Sequence, residues 1–174
     1  WVKHAAECAA RYRDEFAPSY VVEIASNDGY LLRNFVRAGI PVLGIEPARN
    51  VGEVAVEKGI PTLFKFFGEE LARRLLLEGG PADLVIANNV LAHTPHLHDF
   101  VSGIAAILGP QGVATLEFPH LLRLIEETLF DTIYHEHYSY FSFSTVREIF
   151  RHHGLDLFDV EELPTHGGSL RIYA

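Results

Sequence analysis

The feature that most constrains this chain is an alternation. Short apolar, β-branched runs recur along it, each followed by a polar turn and a segment of helical spacing that stops on glycine. Residues 20–25, 41–46, 62–67, 82–87 and 113–118 read as strands, and residues 31–36, 48–58, 69–78, 98–108 and 144–153 as the helices between and after them. The run at 82–87 is almost wholly apolar, as expected of a strand covered on both faces by crossover helices. An amphipathic helix over 4–16, closed by Ala17-Pro18-Ser19, precedes the first strand. After Gly154 the pattern changes. Residues 155–163 and 169–173 are two strands joined by Pro164-Thr165-His166-Gly167-Gly168, too short a link for a crossover helix, so they should pair antiparallel. The fold class is α/β: a doubly wound, Rossmann-like sheet, mostly parallel, with an antiparallel strand pair at its C-terminal end and a reversed strand at one edge. Residues 1–174 form a single domain, with no internal linker or repeat.

Composition narrows the partners. The formal charge of -9 leaves no basic patch to displace phosphate counterions, so neither nucleic acid nor an anionic membrane surface is expected, and a small-molecule substrate is. No apolar run reaches the roughly 20 residues that a membrane span needs. The one cysteine, Cys8, excludes an internal disulfide framework and fits a reducing compartment, with the cytoplasm as the default. The chain starts at Trp1 and contains no methionine, which suggests an excerpt of a longer protein.

In open α/β sheets a ligand sits outside the carboxyl ends of the strands, where the strand order reverses. The loop Glu23-Ile24-Ala25-Ser26-Asn27-Asp28-Gly29-Tyr30 occupies that place. Ala25, Ser26 and Gly29 are small enough for a ligand to approach the backbone, and Asn27 and Asp28 tolerate tight-turn dihedrals. The dinucleotide pattern G-x-G-x-x-G is absent, because Ala25 and Asn27 stand where its first two glycines would be. Glu46, followed by Pro47 at the end of the second strand, is placed to accept hydrogen bonds from both hydroxyls of a ribose. With Glu23 it favours a ligand bearing positive charge over one bearing phosphates. Asn88 and Asn89 end the fourth strand, where their amides could reach the same ligand.

A second concentration of chemistry lies in Asp131-Thr132-Ile133-Tyr134-His135-Glu136-His137-Tyr138-Ser139-Tyr140-Phe141. Histidine is readily poised as a general base near neutral pH, a carboxylate can orient it, and a tyrosine hydroxyl can donate to a developing oxyanion. His93 can join this pocket. The tyrosines also fit a packing cluster, and His135 and His137 with Glu136 could be metal ligands, but no further ligand pair stands at a recognisable spacing and no metal is expected. His152 and His153 close a helix, where cationic side chains suit the negative end of the dipole, and are read as structural.

Five strings in order, Val22-Glu23-Ile24-Ala25-Ser26-Asn27-Asp28-Gly29-Tyr30-Leu31-Leu32, Gly44-Ile45-Glu46-Pro47, Ala87-Asn88-Asn89-Val90-Leu91-Ala92-His93, Tyr134-His135-Glu136-His137 and Thr165-His166-Gly167-Gly168-Ser169-Leu170-Arg171, closely resemble the sugar C-methyltransferase family. The resemblance implies a class I methyltransferase sheet, S-adenosylmethionine as cofactor and a nucleotide-linked 4-keto-deoxysugar as substrate. It also implies a mechanism in which a base removes the proton beside the keto group and the enolate carbon is methylated. By the same resemblance His137 is the base. Tyr134, Glu136 and His93 orient it, bind the sugar or hold the enolate, and His135 points elsewhere. Glu23, Ala25, Ser26, Asn27, Gly29, Tyr30, Glu46, Pro47, Asn88 and Asn89 form the cofactor site. Relatives carry a cysteine-rich zinc module before this core and a sugar-nucleotide domain after it. Neither stands here, so this is expected to be the central domain, with the flanking domains as partners in the parent chain and turnover by this segment alone in doubt. Three rivals remain: a cofactor-binding module without turnover, an O- or N-methyltransferase, and a nicotinamide-dependent oxidoreductase, which would need the missing glycine pattern.

Overall fold

The computed structural model describes residues 2–174. Helix α1 (Val2–Phe16) leads into a seven-stranded sheet built from β1 (Val21–Ile24), β2 (Val42–Ile45), β3 (Thr62–Leu63), β4 (Ala82–Asn88), β5 (Leu108–Pro119), β6 (Asp159–Leu163) and β7 (Ser169–Tyr173). Between the strands run α2 (Leu32–Arg37), α3 (Arg49–Glu57), α4 (Glu69–Gly79), α5 (Leu97–Ile107), α6 (Leu121–Glu126) and α7 (Phe143–His152). The strand order is β3-β2-β1-β4-β5-β7-β6, which reverses between β1 and β4. All neighbouring pairs are parallel except those made by β7, which runs against both β5 and β6.

Two cores, one on each face, follow from strand alternation. Val21, Leu84 and Ile86 point to a layer formed by α1, α2 and α3, where Tyr12, Leu32, Phe35 and Ala55 are buried. Val22, Ile24, Val85 and Ala87 point the other way, to Leu71 and Ala72 of α4, Phe100 and Ile104 of α5, and Val146 and Phe150 of α7. Because both faces are covered, the central strands are mostly apolar, with buried exceptions such as Glu23 and Glu117, instead of alternating regularly with polar residues. No helix among the described residues is long and apolar enough to cross a membrane.

The doubly wound, mostly parallel sheet matches the sequence expectation, with five main differences, the first being that β5 starts at Leu108, five residues before the expected 113–118. The reversed strand is not at the edge. β7 lies between β5 and β6, because the short link holds it against β6 while the α7 crossover carries β6 one position beyond. β3 is two residues long instead of six. As an edge strand it has only β2 for a partner, and beyond Leu63 the chain gains more by packing Phe67 edge-on against Phe100, with ring centroids 5.5 Å apart. β6 starts at Asp159, after four residues expected to belong to it. Within 119–143, left without regular structure in the sequence reading, α6 and a 3₁₀ turn at Phe130–Thr132 form.

Candidate active site

The loop after β1 is shaped by three left-handed residues at alternate positions, Ala25, Asn27 and Gly29, with φ of 56°, 51° and 73°. Only Gly29 takes that conformation freely, and a Cβ there would lie 2.3 Å from Ile60 Cδ1. The strain at the other two is held by hydrogen bonds: Ala25 N–H donates to Ile45 O at 2.8 Å, and Asn27 Nδ2 donates to Ala25 O at 2.8 Å. Glu46 ties this loop to the start of α3. Its Oε2 accepts from Asn27 N–H at 3.0 Å and its Oε1 from Ala48 N–H at 2.8 Å. Each carboxylate oxygen keeps capacity for a further donor, so Glu46 is fixed in place and still able to take two hydroxyls.

Glu23 is buried at the end of β1, and its Oε2 has no hydrogen-bond partner. Burial pushes its carboxyl well above the usual carboxylate range, and Asp28 and Glu46 push the same way against a backbone hydrogen bond from Leu32. Asn88 Oδ1, at the end of β4, is likewise buried and unpartnered. Tyr30 faces this acidic corner, and burial followed by the charge of Glu23 raises its hydroxyl to about 12. The Ser26 hydroxyl is turned onto Gly44, where an added Cβ would sit 2.5 Å from Ser26 Oγ.

A cavity of about 780 Å³ opens at the carboxyl edge of β1, β2 and β4. Ala25, Glu46, Pro47 and His93 line it, together with residues that sequence reasoning missed: Phe66, Phe67 and Gly68 after β3, Glu70, Leu71 and Arg74 of α4, and His96, Asp99 and Phe100 at the start of α5. The rule that ligands lie beyond strand carboxyl ends applies to the loop after β3 as much as to that after β1. Reading 64–67 as strand concealed it. Glu23, Asn27, Gly29, Tyr30 and Asn88 shape the strand ends around this cavity without lining it.

A smaller cavity of about 280 Å³ adjoins it, lined by Asn89, His93, Asp131, Thr132, Tyr134, His137 and His166. His93 thus borders both. The imidazoles of His93 and His137 stand edge to face with centroids 4.7 Å apart. His137 Nδ1 lies 2.9 Å from Thr132 O, which can only accept, so Nδ1 carries the hydrogen and Nε2 is the free, basic nitrogen. Tyr134 supplies a hydroxyl 3.1 Å from that Nε2. The segment is anchored by Tyr138 N–H donating to Ala92 O at 2.8 Å. Burial, and secondly His137, hold the His93 imidazole below its ordinary value, so His93 is neutral near pH 7. The Glu136 carboxylate is exposed, 4.0 Å from His135 Nε2, and lines neither cavity. Glu136 meets the cluster through its backbone, which hydrogen-bonds His93. His135 is exposed, pointing away as expected. His166 enters through the left-handed turn between β6 and β7, signalled in the sequence only by the Thr165-His166-Gly167-Gly168 string.

Residues 2–160 match the family model described as a methyltransferase domain. Over 154 residues the chain is 40% identical to C-methyltransferase NovU of Streptomyces niveus, an alignment that covers 88% of this chain and 37% of that protein. The chain therefore spans little more than a third of that relative's length. Among solved structures it is similar to magnesium protoporphyrin IX methyltransferase of Synechocystis PCC 6803 with bound SAH, with a TM-score of 0.75, 17% identity, and 99% of this chain and 81% of that one covered. A S-adenosylmethionine-dependent methyltransferase of Clostridium acetobutylicum ATCC 824 also gives a TM-score of 0.75, at 9% identity, covering 99% and 91%. At these identities the likeness speaks for the fold, and the family match and the sheet order together carry the assignment. The chain belongs to the methyltransferase domain family, with a doubly wound, Rossmann-like sheet.

Proposed function

We propose that this domain is the core of a C-methyltransferase that methylates the carbon beside the keto group of a nucleotide-linked deoxysugar. The observation that carries the reading is His93, shared by a nucleoside-sized cavity and a smaller one that holds Tyr134 and His137. A methyl donor in the first and a carbon acid in the second would meet there.

The residues fit the donor. Glu46 offers its remaining lone pairs to ribose hydroxyls, and the Phe66-Phe67-Gly68 wall and Phe100 give an adenine apolar cover, while the unpartnered Glu23 Oε2 and Asn88 Oδ1 lie at the strand ends behind the cavity. Bound in the cavity, S-adenosylmethionine supplies the electrophilic methyl group that an enolate carbon takes up. In the smaller cavity, the Tyr134 hydroxyl, which donates to His137 Nε2, turns to the enolate oxygen as Nε2 takes the α-proton, while the neutral His93 keeps its N–H on the Glu136 backbone carbonyl. A volume of about 280 Å³ suits one sugar ring and leaves the nucleotide to surfaces outside this chain. The identity to NovU over most of this chain supports carbon as the methylated atom.

Two measurements test the reading. With ¹³C-methyl donor and a 4-keto sugar nucleotide, the full-length protein should give a product whose new methyl resonance is that of a C–CH₃ group, and an O–CH₃ or N–CH₃ signal would refute carbon methylation. By calorimetry, S-adenosylmethionine should bind and NAD should not, with Glu46→Gln weakening the donor at least about tenfold by replacing one acceptor oxygen of the cavity wall with an amide nitrogen. Glu23→Gln should be the more stable protein near neutral pH. A carboxyl raised on folding makes the native state hold its proton more tightly, so stability is greatest below the ordinary carboxylate range and falls as pH rises above it. Glutamine removes that loss, and urea unfolding at two pH values measures it.

A further inference from the structure

Away from the two cavities, the described residues bring three metal-ligating side chains within reach of one another at two places. At the first, His4, Cys8 and Glu117, a fixed cation already stands between the ligands: Arg171 Nη2 lies 2.9 Å from Cys8 Sγ and donates to Glu117 as well. A metal ion there would meet the guanidinium. At the second place no cation of the protein intervenes.

That place joins α5 to α7. His98, in the first turn of α5, faces His152 at the end of α7 and His153 just beyond it, with one ligand nitrogen of each within 4.8 Å of the others. His98 Nδ1 is 2.9 Å from His153 Nε2, and the ring centroids are 5.5, 5.2 and 5.0 Å apart for the pairs 98/152, 98/153 and 152/153. The helix dipole accounts for two histidines at the C-terminal end of α7. It does not account for His98, because a cationic side chain is disfavoured in the first turn of a helix. An imidazole ligates through an unprotonated nitrogen, and one such nitrogen of each ring lies close enough to share a single ion. The carboxylate of Glu69, ion-paired with Arg73 on α4, also acts on His153.

We propose that His98, His152 and His153 form a three-imidazole site for a borderline divalent transition-metal ion such as Zn²⁺, with the fourth coordination position left to solvent. The ion would bridge two walls of the active site. The start of α5 carries Asp99 and Phe100 of the large cavity, and α7 follows directly on the segment that holds His137. Three nitrogen ligands with an open position describe an exchangeable site, in contrast to the closed four-ligand shells of structural zinc.

The test is equilibrium dialysis of the full-length protein against micromolar Zn²⁺, with metal per chain measured for the parent, for His98→Ala and His98→Asn, and for the double variant His152→Ala/His153→Ala. Each variant should hold one equivalent less than the parent with an unchanged circular dichroism spectrum, whereas His135→Ala should hold as much as the parent. X-ray absorption spectra should differ between parent and His98→Ala by nitrogen scatterers at about 2.0–2.1 Å. Equal zinc in the parent and the His98 variants, or a loss that follows His135→Ala instead, overturns the proposal.

Discussion

Replacing His137 with glutamine is expected to lower the methyl-transfer rate by about 10²–10⁴-fold, the usual contribution of a positioned general base, while leaving the affinity for S-adenosylmethionine unchanged. The separation follows from where the ring sits. His137 borders the smaller cavity and not the larger one, so its loss leaves the nucleoside seat intact. Its basicity at Nε2 is fixed by Thr132 O on the other nitrogen, and an amide of similar shape can satisfy that carbonyl but cannot take a proton. Single-turnover transfer and calorimetry on the same preparation measure the two quantities. A rate within about tenfold of the parent would remove His137 from the base role.

Arg171→Met is expected to lower stability by about 3–5 kcal/mol, the cost of stranding a buried charge. Arg171 stands directly opposite Glu117 on β5 and Glu161 on β6 in the register of the sheet, and both Arg171 and Glu117 are buried. Its Nε donates to Glu117 at 2.9 Å and its Nη1 to Glu161 at 3.1 Å. Removing the guanidinium leaves the Glu117 carboxylate without its cation. Glu161 keeps Arg11 and the Tyr173 hydroxyl, so it is less affected. If the penalty belongs to the stranded charge, Arg171→Met combined with Glu117→Leu should recover most of the loss, since apolar replacements of buried ion pairs are often neutral. Urea unfolding of the single and double variants decides it. A double variant as unstable as Arg171→Met would place the cost in lost packing instead.

The parallel sheet was legible in the sequence because its signal is local: apolar strands of uniform character, and helices stopped by glycines such as Gly59 and Gly80, which adopt φ of 79° and 82°. The position of β7 between β5 and β6 was not legible, since strand order depends on how far α7 carries the chain, and no residue pattern records that distance. For the same reason the Phe66 to Gly68 wall was missed. Phe64 and Phe67 look like strand residues until Phe100 of α5, some thirty positions later, is present to pack against. At the site, Glu46 and the His93, Tyr134 and His137 group lay where the loops after β2, β4 and β5 had to converge. The Glu136 carboxylate went elsewhere, because side-chain direction is set by contacts that sequence spacing does not carry.

The proposed function requires His137 to generate a carbanion beside a keto group within reach of the methyl donor. Incubation of the full-length protein with a 4-keto sugar nucleotide in heavy water, without S-adenosylmethionine, isolates that step. Deuterium is expected at the carbon that is later methylated, and none with the His137→Gln variant. No exchange by the parent protein, or exchange that persists in the variant, would contradict it.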